Sequence, residues 1–200
     1  MCCAMARPRA TAEDLATTER LLAAAEAEFG ERGFAAARLE DIARGAGITR
    51  PSLLYHFDSK EELYRAVIER TFAALRDVLA LAIGGGDTFE ERLDRAVSLP
   101  LAFVAERPAL ARLLLWELID PHGAGHAILK AEVPPLLDLV ERFVRTAGHG
   151  KVRRTLPVRA AILQISSAAI TRAAAGALRK PLFGERDHTL ALARALFLKE

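Results

Sequence analysis

Reactive and structural specialists are scarce in this sequence. Cysteine occurs only as the adjacent pair Cys2 and Cys3 in 200 residues. Neighbouring thiols cannot staple distant parts of a fold, so no disulfide framework is expected and a reducing, cytoplasmic setting is. The pair reads as part of a flexible N-terminal arm over residues 1–12. No stretch of 18 residues is both apolar and free of charge, which excludes a membrane-spanning helix. The start of the chain lacks the apolar core of a secretory signal. A His-Glu-x-x-His motif, a glycine-rich phosphate loop closed by Lys-Ser/Thr and a Gly-x-Ser-x-Gly elbow are all missing, so neither an enzymatic activity nor a cofactor is expected. His122 and His126 stand four apart, but Gly123 and Gly125 fall between them, which argues against a helical metal pair. Net charge is also small: 28 basic against 26 acidic residues give +2. Residues 1–60 hold eight Lys/Arg and nine Asp/Glu. Overall charge therefore does not point to nucleic acid, and any such face must come from local placement.

Aromatics make up 6% of the chain and apolar residues 52%, with heavy use of Ala and Leu. That composition favours helices. The segment from Leu39 to Phe57 is the most informative. Leu39, Ile42, Ala43 and Ala46 fall at i, i+3, i+4 and i+7, one helical face. Gly47 follows where a left-handed residue ends a helix. Thr49 is placed to cap a new helix, with Arg50-Pro51 in its first turn. Leu53, Leu54 and Phe57 give that helix an apolar side, leaving Arg50, Ser52, Tyr55 and His56 outward. Helix, glycine turn and second short helix form the unit that enters a DNA major groove. A guanidinium, a hydroxyl, a phenol and an imidazole suit phosphates and base edges.

Leu22, Ala25, Phe29, Gly33-Phe34, Ile42-Ala43, Ala46-Gly47, Tyr55-His56-Phe57, Ser59-Lys60-Glu61 and Leu63 together resemble the DNA-binding region of the TetR (tetracycline-repressor-like) transcriptional regulators. The resemblance runs from residue 18 to residue 63, about a quarter of the chain. Elsewhere only the length and the helical character match. It implies an all-α protein: an N-terminal three-helix head containing the helix-turn-helix (13–58), then a C-terminal helical bundle for effector binding and dimerisation (59–200). Residues 59–82 would be the linking helix, within about nine helices in all. Two departures stand out. Ala37-Arg38 replaces the usual Thr or Ser cap of the second helix, so Arg38 offers a phosphate a charge instead of a cap hydroxyl. Arg50-Pro51 replaces a more flexible pair, so base preference does not carry over from the family. The DNA-binding set implied is Arg38, Thr49, Arg50, Ser52, Tyr55, His56 and Lys60.

The remaining elements follow from capping and breaker signals. The first helix spans about Glu13 to Arg32 and ends at Gly33. Ser59 to Glu62 reads as a capping box opening a helix to about Ala82, with Lys60 in a first turn that suits a phosphate. Gly84 to Asp87 is a break, and Thr88 to Glu91 is a second box opening a helix to about Ala105, kinked at Pro100. Pro108 starts a sixth helix to about Leu118. The Pro134-Pro135 pair is expected to split or restart the seventh, which ends near Thr146. An eighth covers about Pro157 to Leu178 and a ninth about Asp187 to Leu198.

The last two helices, at 157–178 and 187–198, carry small residues (Ala160, Ala161, Ser166, Ala169) and leucines that allow close helix approach. Paired with a second copy they make a twofold four-helix interface, matching a palindromic operator. They also suit the interior of one monomer. The middle helices offer an effector pocket lined by Leu101, Phe103, Val104, Leu110, Leu114, Trp116, Glu117, Ile119, Val140, Phe143 and Ile165, mostly apolar as ligand sites are. The same residues also suit a plain core. The resulting expectation is a ligand-responsive DNA-binding regulator, most simply a repressor released by a small hydrophobic effector. A helical carrier of lipid-like molecules, or a constitutive DNA-binding protein, are the alternatives; a carrier has no use for an exposed Arg-Ser-Tyr-His face.

Overall fold

Capping chemistry sets where the helices begin and end. The computed structural model describes residues 12–120 and 123–199; Cys2, Cys3, His122 and all but the last residue of the expected arm lie outside the described residues. α1 (Ala12–Ala36) is broken at Gly33, which takes φ +73°. α2 (Leu39–Gly45) leaves through Gly47 at φ +72°, with Ile48 N–H donating to Ala43 O and Gly47 N–H to Arg44 O. This is the Schellman exit, and its left-handed residue is the reason a glycine stands there. Thr49 then caps α3 (Arg50–His56), its Oγ1 accepting from Ser52 N–H at 3.3 Å.

α4 (Lys60–Ile83) opens on Ser59, whose hydroxyl accepts from Glu62 N–H at 3.0 Å. The reciprocal arm of that box differs from expectation: Glu62 accepts from Asp58 N–H, one residue earlier than the cap. Before α5 (Phe89–Ala105) both arms of the Thr88–Glu91 box are present, and the helix continues through Pro100. α6 is Pro108–Ile119.

Two expectations are corrected. α7 (His126–Ala147) is not split by Pro134 and Pro135. The prolines remove the donors that Lys130 and Ala131 carbonyls would use. All four residues are solvent-exposed, which puts those carbonyls on the side of α7 where water is available to them. The eighth helix is shorter than expected. α8 (Val158–Ala174) ends before Gly176 at φ +54°, and a 3₁₀ turn (Gly176–Leu178) leads into α9 (Arg179–Phe183). The chain bends by 114° there. The run Ala173–Ala175 hides this break, because alanine carries the helical pattern up to a glycine whose backbone leaves it. α10 (Thr189–Phe197) follows, giving ten α-helices among the described residues. The only β pairing there is a single bridge between Val152 and Leu198. No single described helix is long and apolar enough to cross a membrane.

Two apolar cores result. One joins the head to the body, packing Leu21, Phe29, Ile42, Leu53, Phe57 and Val67 with Leu110, Leu113 and Leu136. Arg70 of α4 fixes α1 alongside by bonding Glu19 at 2.9 Å and Glu26 at 3.3 Å. The second core packs Phe89, Leu93, Phe143, Val158, Ile162, Ala193 and Phe197 from α5, α7, α8 and α10.

Candidate nucleic-acid interface and effector cavity

Burying Leu53 and Phe57 against α1 and α2 turns the opposite side of α3 outward. Arg50 is exposed at its first position, and Tyr55 is 72% exposed. His56 is half-buried, edge-on to Tyr55 at 5.5 Å, with Nδ1 3.5 Å from Thr18 Oγ1. Ser52 is half-buried; its backbone serves the Thr49 cap. Arg38 is exposed at the α2 cap position and makes no cap hydrogen bond. Lys60 is tied back into the head. Its Nζ donates to Ala35 O at 3.1 Å and lies 4.7 Å from the centroid of the Phe34 ring. An ammonium has three donors, so this tether leaves donors for a phosphate. Arg50 Nη1 lies 3.1 Å from Glu40 Oε1, an ion pair across the turn.

Behind the head lies a cavity of about 260 Å³ walled by α4 to α8 and by Phe197 of α10. Leu75, Leu79, Val97, Leu101, Val104, Leu114, Leu136, Val140, Ile165 and Ile170 are among its lining residues, and none of the lining residues is charged. Its hydroxyl residues, Ser166 and Ser167, donate to their own helix at Ile162 O (2.9 Å) and Leu163 O (2.7 Å). α6 is the wall that also reaches the head. Arg112 Nε donates to Gly30 O of α1 at 2.9 Å. A Cβ on Gly30 would sit 2.2 Å from Ala109 O, so only glycine allows α1 and α6 this close. Glu117, 3% exposed, accepts from Tyr64 of α4 on Oε1 and from Gly125 N–H at 2.9 Å on Oε2. Burial, and then the bond to the Glu117 carboxylate, push the Tyr64 hydroxyl well above the usual phenol range. The Tyr64 ring packs edge-on to Phe29 at 4.8 Å and against Phe34 at 4.9 Å, the ring beneath Lys60.

Residues 21–67 match the family described as bacterial regulatory proteins, tetR family. The transcriptional activator FasR of Mycolicibacterium smegmatis is 31% identical over 135 residues, 65% of this chain and 61% of the relative. The transcriptional regulator RutR of Escherichia coli is 30% identical over 149 residues, 72% of this chain and 66% of the relative. Over residues 21–67 this chain carries the tetR-family pattern. It spans just under two thirds of the length of these two relatives. Among solved structures, the complex of SmeT from Stenotrophomonas maltophilia with triclosan superposes with a TM-score of 0.68 at 24% identity, covering 92% of this chain and 93% of that one. At that identity the likeness is one of fold.

The tetR-family match ends at residue 67, within α4. Beyond it the structure sorts the pocket candidates. Leu101, Val104, Leu114, Val140 and Ile165 line the cavity. Phe103 lies outside it under Arg107, whose guanidinium is 4.0 Å from the ring centroid. Phe143 belongs to the second core, 5.6 Å from Phe89. Leu110 is buried in the first core. Trp116 is 52% exposed, Ile119 is exposed, and Glu117 faces α4. An apolar residue on a helix gives no sign of which side meets empty space, so periodicity alone did not separate wall from core. Tyr64, Arg112 and Gly30 escaped sequence reasoning altogether, because each acts through a partner more than fifty residues away. No group of described residues is arranged to hold a metal ion.

Proposed function

We propose that this chain is a homodimeric, ligand-responsive DNA-binding transcriptional regulator of the tetR family, a repressor that a small hydrophobic effector releases from a palindromic operator. The observation that carries this reading is the placement of α6. Leu114 and Leu118 wall the cavity, while Arg112 and Glu117 on the same helix hold α1 and Tyr64 of α4. An effector that needs more room than the empty cavity offers displaces α6, and α6 carries the displacement to the head. The effector thereby favours the state that does not fit the operator, which is the differential affinity that release requires.

The division of labour is 13–58 for DNA, 59–200 for effector and dimer, with 59–82 as the link. Lys60, Tyr55, His56 and Arg38 contact phosphates and set register; Arg50 and Ser52 face base edges at the Thr49-capped start of α3. The complex of SmeT with triclosan supports a small-molecule ligand here. An uncharged lining supports an apolar one, because burying a charge without a partner is costly. A ~150 Å³ protein cavity holds benzene, so one of about 260 Å³ takes roughly ten heavy atoms before its walls must move, and the effector exceeds that size. Leu163 of α8 and Leu192 and Leu196 of α10 are exposed on the surface suited to a second copy. Twofold pairing there sets the two recognition helices ~34–36 Å apart, one turn of DNA. A cytoplasmic setting goes with this role.

The test uses the full chain and a pool of random-sequence duplexes. Recovered DNA is expected to carry two inverted half-sites about one helical turn apart, bound by a dimer in sedimentation. Recovery without enrichment would refute the operator reading, and no recovery at all would refute DNA binding. A single half-site bound by a monomer would refute the dimer.

A further inference from the structure

Glu40 is an acidic residue on the outward face of the head, where a polyanion is expected. It stands in the first turn of α2 and reaches across the glycine turn to Arg50, the first residue of α3. The two side chains are 53% and 54% exposed, and the Nη1–Oε1 distance is 3.1 Å. The neighbouring Asp41 is engaged elsewhere, by Arg44 at 2.9 Å. An exposed pair of this kind adds little to folding stability. Its consequence lies in what it does to the arginine. A guanidinium carries five N–H donors in a fixed plane, and one bond to Glu40 leaves donors for a bidentate contact. A free arginine at this position would settle on the nearest phosphate, which carries no sequence information. Glu40 opposes that choice twice. It offers Arg50 a competing acceptor, and its own charge is repelled by any phosphate that Arg50 approaches, within a Debye length of ~8 Å.

We propose that Glu40 is a positioning residue that sets sequence specificity. It holds Arg50 off the phosphates and aims its fork at guanine O6 and N7 in the major groove. Discrimination then comes from penalising the wrong contact as well as from making the right one. This inference rests on the DNA-binding reading above.

The experiment uses the full-length protein, the duplex that the wild type enriches from a random pool, and the unselected pool itself. Affinities are measured across a salt series. Arg50→Ala should abolish the preference at one base pair in each half-site. Glu40→Gln should bind the unselected pool as tightly as the wild type or more so, while the ratio of selected to unselected affinity falls about tenfold, the scale of one lost bidentate contact. Its salt slope should steepen by about 0.9 per protomer, as Arg50 takes up a phosphate. Glu40→Asp, which keeps the charge, should restore part of the ratio. In an Arg50→Ala background Glu40→Gln should leave the ratio unchanged, because Glu40 acts through Arg50.

Equal tightening on both DNAs, with the ratio preserved, would overturn the proposal and leave Glu40 as mere background charge. So would a loss of specificity that persists without Arg50. If the wild type enriches no sequence, the operator-binding reading itself fails. Both positions are half exposed, and matching thermal melts of the variants confirm that the fold is intact.

Discussion

Replacing Tyr64 by Phe removes one oxygen atom from the contact that joins α4 to α6 of the cavity wall. The ring stays and keeps its packing on Phe29 and Phe34. What is lost is the donor to Glu117 Oε1, inside a region where Tyr64 is 1% and Glu117 3% exposed. Glu117 keeps Gly125 N–H on its other oxygen, so the carboxylate is left half-satisfied out of reach of water. Hydrogen bonds to charged groups contribute ~1.5–3 kcal/mol, and about 2 kcal/mol is expected here. For a chain of this size that lowers Tm by about 4–8 °C. Glu117→Gln should cost a comparable amount, because an amide meets the Tyr64 and Gly125 donors with only one acceptor oxygen. The double variant should lose clearly less than the sum, as expected of two groups sharing one bond. Urea or thermal unfolding at neutral pH measures all three. Alkaline pH gives an independent check. Tyr64 is held protonated in the fold, well above the ordinary phenol value of 10.0, which the unfolded chain keeps. Its contribution is therefore complete below pH 10 and declines as pH rises beyond it. The wild type should lose stability more steeply above pH 10 than Tyr64→Phe does. A Tyr64→Phe variant as stable as the wild type, with the same alkaline slope, would refute the buried contact.

Gly125→Ala should destabilise by ~1–3 kcal/mol on denaturant unfolding, since its Cβ would fall 2.2 Å from Ile68 Cδ1 and 2.9 Å from the Glu117 carboxyl carbon. Lys60→Ala should weaken binding to selected and random duplexes alike and flatten the salt dependence by about one unit of slope; a loss confined to the selected site would remove Lys60 from the phosphate contacts. Ala96→Leu, on the α5 side of the cavity wall, should leave operator affinity within about twofold but reduce binding of an apolar fluorescent probe at least tenfold, because added methyl groups fill the space the ligand needs.

The head was legible because its signals are local. Thr49, Gly47 and the spacing of Ile42, Ala43 and Leu53 each fix the backbone within a few residues, and the structure uses them that way. The body was legible only as a set of helices. Pro134 and Pro135 signalled a break that solvent on their side of α7 makes unnecessary. The turn after Ala174 passed unnoticed inside an alanine run. The cavity wall was half legible: Leu101, Val104, Leu114, Val140 and Ile165 share it, while Trp116 and Glu117, adjacent on α6, face solvent and Tyr64 respectively. Which way α6 turns is decided by its packing on α1 through Gly30 and Arg112. The Glu40–Arg50 pair joins two charged surface residues that no apolar pattern would have singled out.

The central claim is that occupancy of the cavity sets affinity for DNA through α6. It is tested most directly by titrating the enriched duplex, followed by fluorescence anisotropy, with and without an apolar compound that binds the wild type and not Ala96→Leu. Reciprocity requires that the compound weaken DNA binding by the same factor by which DNA weakens binding of the compound, with a factor of at least five expected. In Tyr64→Phe that shared factor should shrink while each ligand still binds. A compound that occupies the cavity and leaves DNA affinity unchanged would contradict the account.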